Sequence, residues 1–291
     1  MNKVIVILGP TCVGKTKLSV ELAKHYNGEV INADSTQIFK KLNIATAKIT
    51  EEEKEGVVHH LFDIRDITDD YTVYDYQKDC RELIDKILKK GKTPILCGGT
   101  GLYIKAALYD YKFNIEVGEK KDYSSYSNDE LYNMLLEIDP KTNIHKNNRK
   151  RVERALNSYN NTGTIPGNDK TNKLLYDAIF IGLTTDRDLL YDRINKRVDV
   201  MLSNGLLEEA KWVYDTNIRT KAILTPIGYK ELFPYFEGDK SLEDCLEAIK
   251  QNSRRYAKRQ YTWFNNQMDV TWFSVDFNNF NNTVNDVLNY I

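Results

Sequence analysis

Residues 9–16 form a glycine-rich loop whose residue types and spacing suit phosphate binding. They read Gly-Pro-Thr-Cys-Val-Gly-Lys-Thr and match the pattern G-x4-G-K-S/T. The apolar run 4–8 precedes the loop as a buried strand would, and a helical pattern of leucines follows it. In that context, successive backbone N–H groups and the N-terminus of the helix attract phosphate oxygens. The sequence therefore predicts that the chain binds a diphosphate or a triphosphate.

Individual residues of this loop have distinct expected roles. Its two glycines let the backbone approach the phosphates without a Cβ clash. Lys15 supplies a movable cation for phosphate oxygens, and the Thr16 hydroxyl is the expected protein ligand of Mg2+. Cys12 is better explained as a small filler residue than as a catalytic thiol. The predicted diphosphate-binding residues are Gly9, Pro10, Thr11, Cys12, Val13, Gly14, Lys15 and Thr16.

Two further polar residues follow later strand patterns. Asp34 comes directly after the pattern at 29–32, and Thr100 lies in the segment Gly-Gly-Thr-Gly after the pattern at 93–97. Because the carboxyl ends of parallel strands meet at one edge of a sheet, we expect Asp34, Thr100 and the loop to share a crevice. Two alternatives remain open: Asp34 as a helix N-cap, and the glycines as a tight turn.

The usual magnesium-binding aspartate of ATPases and GTPases has no counterpart at the expected place. That aspartate ends a second apolar strand, whereas the strand patterns at 93–97 and 177–183 run into glycine, leucine and threonine. The guanine-reading sequence N-K-x-D is also missing. A nucleoside triphosphate is the usual ligand of such loops, so an ATP-dependent small-molecule kinase remains an alternative.

Two basic segments point to an RNA partner. Residues 145–154 and 250–259 each carry five lysines and arginines, and aromatic residues interleave with the second segment. Basic clusters with aromatic neighbours suit RNA, although either segment could be only a solvated helix face. Two adjacent histidines, His59 and His60, point apart on a strand or a helix, so a two-ligand metal site is not expected there.

The order of the patterns predicts an α/β protein with a P-loop NTPase-like core, a parallel sheet and a small helical insertion domain. We assign residues 1–112 to the first part of the core, 113–170 to the insertion and 171–291 to a mostly helical completion of the core. The chain has 41 basic and 42 acidic residues, four scattered cysteines and no long apolar stretch. We therefore expect a soluble protein of a reducing compartment, without a membrane anchor.

The combination of motifs resembles the tRNA dimethylallyltransferases of the bacterial type, over residues 3–265. The resemblance implies transfer of a dimethylallyl group from dimethylallyl diphosphate to N6 of the adenosine 3′-adjacent to the anticodon, with release of pyrophosphate. It also implies Mg2+ as cofactor, the anticodon stem-loop as partner and a cytoplasmic location, and we expect a monomer. The motifs that carry it are GPTCVGKT, INADSTQIF, ATAKIT, VVHHLFDI, PILCGGTGLYIKA, NNRKRVERAL, GLTTDRDLLYDRINKRVDVML, IGYKEL and RRYAKRQYTWF.

The resemblance also implies roles for single residues. Asp34 matches the catalytic base of the family, Thr100 the threonine near the bridging oxygen and the attacking amine, and Lys15 the cation at the leaving diphosphate. Of the arginines at 187, 193 and 197, the last two share a helix face and are expected to steer the diphosphate or the RNA. The residues expected to contact tRNA are Asp34, Ser35, Thr36, Gln37, Thr100, Lys150, Arg151 and Arg154.

Some residues depart from the pattern of the family. Thr225-Pro226 stands where relatives often have Gln-Ala, Asn265 replaces a common arginine, and the insertion is short. Because none of these touches the loop, Asp34 or Thr100, they bear on RNA docking rather than on the chemistry. Two further alternatives stay open: an adenylate isopentenyltransferase that uses a free adenine nucleotide, and an RNA-binding module whose phosphate site is only structural.

Overall fold

The computed structural model describes residues 3–113, 121–165 and 173–291. The chain divides into two compact units, which we treat separately. The larger unit consists of Met1–Tyr109 together with Leu174–Ile291, and the smaller unit is Asp110–Lys173.

The larger unit contains a parallel sheet in which six strands are described. Its order is β3-β2-β4-β1-β5-β6, so neighbours in the sheet are mostly not neighbours in sequence. Every pairing is parallel, which requires a crossover connection between successive strands. The strands are β1 Val4–Leu8, β2 Gly28–Asn32, β3 His59–His60, β4 Thr93–Cys97, β5 Ala178–Thr184 and β6 Thr271–Ser274.

Helices connect these strands, and those of the larger unit cover the sheet. The helices α5 and α6 belong to the smaller unit, and the others to the larger one. The helices are α1 Lys15–His25, α2 Glu51–Lys54, α3 Val73–Lys89, α4 Gly101–Leu108, α5 Asn128–Ile138, α6 Arg149–Thr162, α7 Arg187–Ser203, α8 Leu206–Asp215, α9 Lys221–Leu224, α10 Phe233–Phe236, α11 Leu242–Gln267 and α12 Phe280–Tyr290.

The residues of β1 show why the sheet is covered on both faces. All five are buried, and they alternate between two hydrophobic clusters: Val4 and Val6 pack with α3 and α4, whereas Ile5 and Ile7 pack with α1 and α7. Successive side chains of a strand point to opposite faces, so a continuous apolar run is what a two-sided sheet needs. The predicted α/β class with a parallel sheet is confirmed.

The smaller unit has its own apolar cluster. In α5, Leu131 and Leu135 pack against Val152 and Leu156 of α6, and Tyr123 completes the group. Spacings of three and four residues place these side chains on one face of each helix. The opposite face of α6 is therefore left to solvent.

Within the described ranges, no helix has both the length and the apolar character needed to cross a membrane.

A buried carboxylate lies near the start of β2, at the edge opposite the phosphate loop. Glu29 is 2 % exposed and accepts hydrogen bonds from Lys92 at 2.9 Å and Lys90 at 3.2 Å, while His60 contacts it at 2.7 Å. Burial alone would raise the pKa of Glu29, but these hydrogen bonds lower it from 4.5 to about 2. The ionised form is therefore the one that stabilises the fold.

We expect Glu29→Gln to lower the free energy of unfolding at pH 7 by about 2 kcal/mol, the scale of hydrogen bonds to a charged group. Because the folded pKa lies below the unfolded one, the contribution of Glu29 is complete above pH 4.5 and declines as the pH falls toward about 2. Urea unfolding of both proteins between pH 7 and pH 3 measures this, and a difference that stays constant over that range would contradict it.

Candidate active site

The phosphate loop joins β1 to α1 at the carboxyl edge of the sheet. Gly14 is the N-cap of α1 and has a φ of 88°, a left-handed conformation that glycine adopts without strain. Lys15 and Thr16 begin the helix, whose first turn carries no acidic residue. The Thr16 side chain is exposed to solvent. The loop therefore presents helix N–H groups, a cation and a hydroxyl in the arrangement that phosphates require.

The Lys15 ammonium is turned back onto its own loop. Its Nζ donates a hydrogen bond to the carbonyl oxygen of Pro10 at 2.6 Å. Burial lowers the pKa of Lys15, Arg197 acts in the same direction, and Cys97 and Asp34 act against both. Both the loop and Asp34 follow strands of the parallel sheet, and Asp34 is among the charges that raise the pKa of Lys15.

Asp34 is held in a turn, and the alternative of a helix N-cap is wrong, because the next helix begins only at Glu51. Its Oδ1 accepts hydrogen bonds from the Thr36 N–H at 3.0 Å and the Thr36 hydroxyl at 2.7 Å. The side chain of Asn32 binds the Asp34 backbone on both sides, with its Oδ1 at 2.8 Å from the N–H and its Nδ2 at 3.0 Å from the carbonyl. Among the described residues no donor reaches Asp34 Oδ2, so that oxygen remains available to a ligand.

Thr100 lies beside this turn. Its Oγ1 accepts a hydrogen bond from the Ser35 N–H at 3.0 Å and donates one to the Ser35 hydroxyl at 3.3 Å. Thr100 is the N-cap residue of α4, yet its side chain makes no cap hydrogen bond to that helix. The structure thus brings Thr100 together with Asp34, as expected from the two strand ends.

Two functional candidates on α11 were missed by the sequence analysis. Gln260 is buried and connects the two glycine-rich segments: its Oε1 accepts from the Thr11 N–H at 3.1 Å, and its Nε2 donates to the Gly99 carbonyl at 3.1 Å. Tyr256 interacts through its hydroxyl with Thr100 and Gln260, and burial followed by the charge of Asp34 raises its pKa. The sequence did contain one indication of their position: the two residues are four apart, which places them on the same face of the helix, next to its buried apolar residues.

The contact with Gln260 explains why position 99 is a glycine. A Cβ added to it would lie 2.1 Å from Nε2 of Gln260, and one added to Gly101 would lie 2.0 Å from the Trp263 ring. The neighbours that exclude a side chain here are therefore protein groups of α11. Close packing accounts for these glycines without a ligand.

Both arginines predicted to steer the diphosphate reach the loop from α7. Arg193 donates through Nε to the Cys12 carbonyl at 3.1 Å, and Arg197 approaches the Cys12 sulfur at 3.7 Å. The Arg193 guanidinium also stacks on the Phe277 ring, 3.6 Å from its centroid. Arg187, about two turns before Arg193 on the same helix, lies over Tyr191 instead. Positive charge is thus concentrated at one side of the phosphate loop.

The side chain of Gln37 turns toward a neighbouring loop. Its Nε2 donates to the carbonyl oxygens of Thr46 at 3.0 Å and Ala47 at 3.2 Å. Its backbone N–H closes the turn to the Asp34 carbonyl at 3.3 Å. Gln37 is therefore tied both to the Asp34 turn and to the loop that follows it.

The basic residues predicted to contact tRNA lie in the smaller unit, on α6. Lys150, Arg151 and Arg154 are exposed, on the side opposite the apolar cluster. Arg149 differs from them, since its guanidinium binds Glu153 and the carbonyl oxygens of Tyr123 and Tyr126. Arg149 therefore stabilises the fold of the smaller unit and does not belong to its exposed basic surface.

The second basic segment, on α11, is partly structural. Lys250 pairs with Asp199 at 2.7 Å, and Arg254 binds Glu247 at 2.8 Å. The remaining cations of the segment are exposed: Arg255, Lys258 and Arg259. Its aromatic residue Tyr256 faces the site described above, so an RNA surface that includes this ring is not supported by the geometry.

Fold and site together define a P-loop-type α/β protein in which the turn of Asp34 lies beside Thr100 at the carboxyl edge of the sheet. The family model described as IPP transferase matches residues 37–267.

Named relatives match over nearly the whole chain. The tRNA dimethylallyltransferase of Anoxybacillus flavithermus is 48 % identical, with 100 % of this chain and 96 % of the relative covered. The tRNA dimethylallyltransferase of Bacillus subtilis is 49 % identical, with 94 % and 90 % covered. The chain belongs to the IPP transferase family, as its motifs predicted.

Solved structures agree with this assignment. The tRNA isopentenylpyrophosphate transferase of Bacillus halodurans is 43 % identical, with a TM-score of 0.76 and coverage of 100 % of this chain and 95 % of that one. A eukaryotic dimethylallyltransferase, described as acting on tRNA, is 33 % identical with a TM-score of 0.86, and the match covers 99 % of this chain and 78 % of that one.

Proposed function

We propose that the protein transfers a dimethylallyl group from dimethylallyl diphosphate to N6 of the adenosine 3′-adjacent to the anticodon in tRNA, and releases pyrophosphate. The observation that carries this proposal is the joint position of Asp34 and Thr100, linked through Ser35, while Gln260 connects the phosphate loop to Gly99, the residue before Thr100. Relatives named for this activity support it.

On the donor side, the allylic C–O bond breaks and the bonding electrons leave with the diphosphate. The backbone N–H groups of the loop, Lys15 and the arginines at its side would stabilise the charge that develops there. Arg193 and Arg197 are fixed against Cys12, so their positive charge is in place before the ligand arrives. This arrangement favours departure of an intact pyrophosphate.

We propose that Thr16 provides the protein ligand for Mg2+. Its hydroxyl is exposed in the first turn of α1, where G-x4-G-K-S/T loops bind the ion. Mg2+ bound in this way keeps most of its ligands as water and phosphate oxygens, so it needs no cluster of protein carboxylates. When bound, the ion neutralises part of the charge of the leaving diphosphate.

On the acceptor side, the adenine amine is a poor nucleophile because its lone pair is delocalised into the ring. As N6 forms its bond to the allylic carbon, it must lose a proton. We propose that Asp34 Oδ2 accepts this proton, since Oδ1 is already engaged by Thr36. Thr100 and residues 35–37 would hold the base and its amine in position.

The donor and the acceptor are tested together by incubating the protein and Mg2+ with labelled dimethylallyl diphosphate and either unmodified tRNA or AMP. We expect label in tRNA only. Label in AMP would instead support an adenylate isopentenyltransferase. Phosphoryl transfer from ATP at a comparable rate would support a kinase, and binding of tRNA without transfer would support a pure RNA-binding module.

We propose that residues 113–170 form the tRNA-contacting insertion. Because the donor and acceptor groups described above come from a single chain, we also propose that the protein acts as a monomer. Its proposed substrate is tRNA, so we place the reaction in the cytoplasm.

The exposed face of α6 gives a prediction about tRNA affinity. We expect the double variant Arg151→Ala, Arg154→Ala to raise the KM for tRNA by about tenfold at low salt and to flatten its salt dependence, since each phosphate contact releases counterions. The KM for dimethylallyl diphosphate should stay unchanged.

A matched control for this pair exists on α3. Lys86 and Lys89 are exposed, three residues apart, and far from the phosphate loop in sequence. Replacing both by alanine changes the net charge equally and should leave the tRNA KM as it was. If the α6 variant shows the wild-type salt slope, its arginines are only solvated.

A further inference from the structure

A carboxylate from α8 holds the loop at residues 43–48 together. Oε2 of Glu209 accepts hydrogen bonds from the N–H groups of Asn43 and Ile44, both at 2.9 Å. Its Oε1 accepts from the Ala45 N–H at 3.1 Å and from the Tyr229 hydroxyl at 2.7 Å. Three consecutive backbone donors thus converge on one side chain that is more than 160 residues away in sequence.

Three successive N–H groups with this direction form an anion nest, and Glu209 fills it. Charge-assisted hydrogen bonds of this kind are about twice as strong as neutral ones. The loop adds its own contacts, because the Thr46 hydroxyl donates to the Leu42 carbonyl at 2.6 Å and the Ala47 N–H donates to the Ile44 carbonyl at 3.0 Å. The conformation of the loop therefore depends on the carboxylate.

The same loop determines how the Gln37 side chain is turned. Carbonyl oxygens only accept hydrogen bonds, so the group of Gln37 that faces the carbonyls of Thr46 and Ala47 must be the amide nitrogen. Both of its hydrogens are then used. The polar atom that remains is Oε1, which no donor from the described residues reaches. Gln37 thus offers a ligand an acceptor and no donor.

We propose that Glu209 is a positioning residue for recognition of the acceptor base. It acts through the loop 43–48, which turns Gln37 so that Oε1 faces a base edge carrying an amino group. This inference rests on the proposed function, which places Gln37 at the target base. A lone acceptor pairs with an amino hydrogen and repels a carbonyl oxygen, so the arrangement favours a base edge with an amino group, as in adenine, over one with a carbonyl group at that position.

The first test compares Glu209→Gln with Glu208→Gln, a neighbouring exposed carboxylate that does not contact the loop. The glutamine at 209 has one acceptor oxygen, and its amide would face N–H groups. We expect kcat/KM for tRNA to fall about 10- to 100-fold, the scale of a misplaced positioning group, while the KM for dimethylallyl diphosphate stays within about twofold. Glu208→Gln should match the wild type.

Amide hydrogen exchange provides a readout that is independent of activity. In Glu209→Gln the amides of residues 43–45 should exchange faster than in the wild type, and those of β1 and β4 should not change. A general loss of folded enzyme would instead lower kcat without changing either KM. The proposal would be overturned if the amides of residues 43–45 exchanged faster in Glu209→Gln and the variant still had the tRNA kinetics of the wild type.

A double-mutant cycle tests whether Glu209 acts through Gln37. If it does, Glu209→Gln combined with Gln37→Ala should be no worse than Gln37→Ala alone, because the group being positioned is already gone. Fully additive losses would contradict the route through Gln37. If Glu209→Gln does not fold, Tyr229→Phe takes its place, because it removes only one of the four donors to the Glu209 carboxylate. The same cycle with Gln37→Ala then applies, with a smaller expected loss of kcat/KM.

The proposed function and this inference fail in different ways. If the wild-type protein transfers no dimethylallyl group to tRNA, the proposed function is wrong. If the wild type is active and Glu209→Gln has the same tRNA kinetics, only the positioning role is wrong.

Discussion

Asp34→Asn is expected to lower kcat by about 10²-fold or more, the usual contribution of a general base, with little change in stability. Asparagine keeps the Oδ1 acceptor that binds the N–H and hydroxyl of Thr36, so the turn should persist. What it loses is the second carboxylate oxygen, the one with no donor in the described structure. The expected loss is therefore chemical rather than structural.

Single-turnover transfer of labelled dimethylallyl to tRNA, with thermal unfolding of the same samples, measures both quantities. Asp70→Asn is a suitable control, because Asp70 is exposed and lies outside the site. Normal turnover in Asp34→Asn would show that the carboxylate serves only to shape the turn.

The position of Asp34 and Thr100 was predictable for a general reason. Both follow strands of a parallel sheet, and the carboxyl ends of such strands lie at one edge. Register confirms this, since Asn32 of β2 pairs with Cys97 of β4, two and three residues before the side chains in question. The phosphate loop was predictable because its pattern is local and its flanking elements were clear.

The long-range hydrogen bonds that hold the site in place were not predictable from one sequence. Gln260 meets the phosphate loop across 249 residues, and Glu209 meets its loop across more than 160. Such hydrogen bonds follow from helix packing that leaves no local pattern. In addition, Gln260 follows directly on a segment of five cations, where a buried polar residue is hidden among solvated ones.

Two elements were also missed because tertiary contacts create them. Strand β3 is only two residues long and exists through its pairing with Val30 and Ile31. Helix α12 begins in an asparagine-rich stretch of low helix propensity, yet Val284 and Val287 are buried against the core. In both cases packing outweighs the local signal.

Lys15→Ala is expected to lower kcat/KM for dimethylallyl diphosphate by about 10³-fold, near the upper end of what the loss of one preorganised donor costs. The long side chain of Lys15 can leave its present partner, the Pro10 carbonyl, and follow a phosphate oxygen as its charge grows. Binding of pyrophosphate should weaken as well. The KM for tRNA should change little, since Lys15 belongs to the donor side.

Lys24→Ala, in the last turn of the same helix, is the matched control, because that lysine pairs with Glu55 at the surface. The pH dependence adds a second measurement. Burial lowers the pKa of Lys15 from its ordinary 10.5, so the free enzyme should lose this cation, and with it kcat/KM, at a lower pH than an exposed lysine would. That alkaline decline should be missing in Lys15→Ala; if it persists unchanged, another group causes it, and Lys15 does not supply the charge that stabilises the leaving diphosphate.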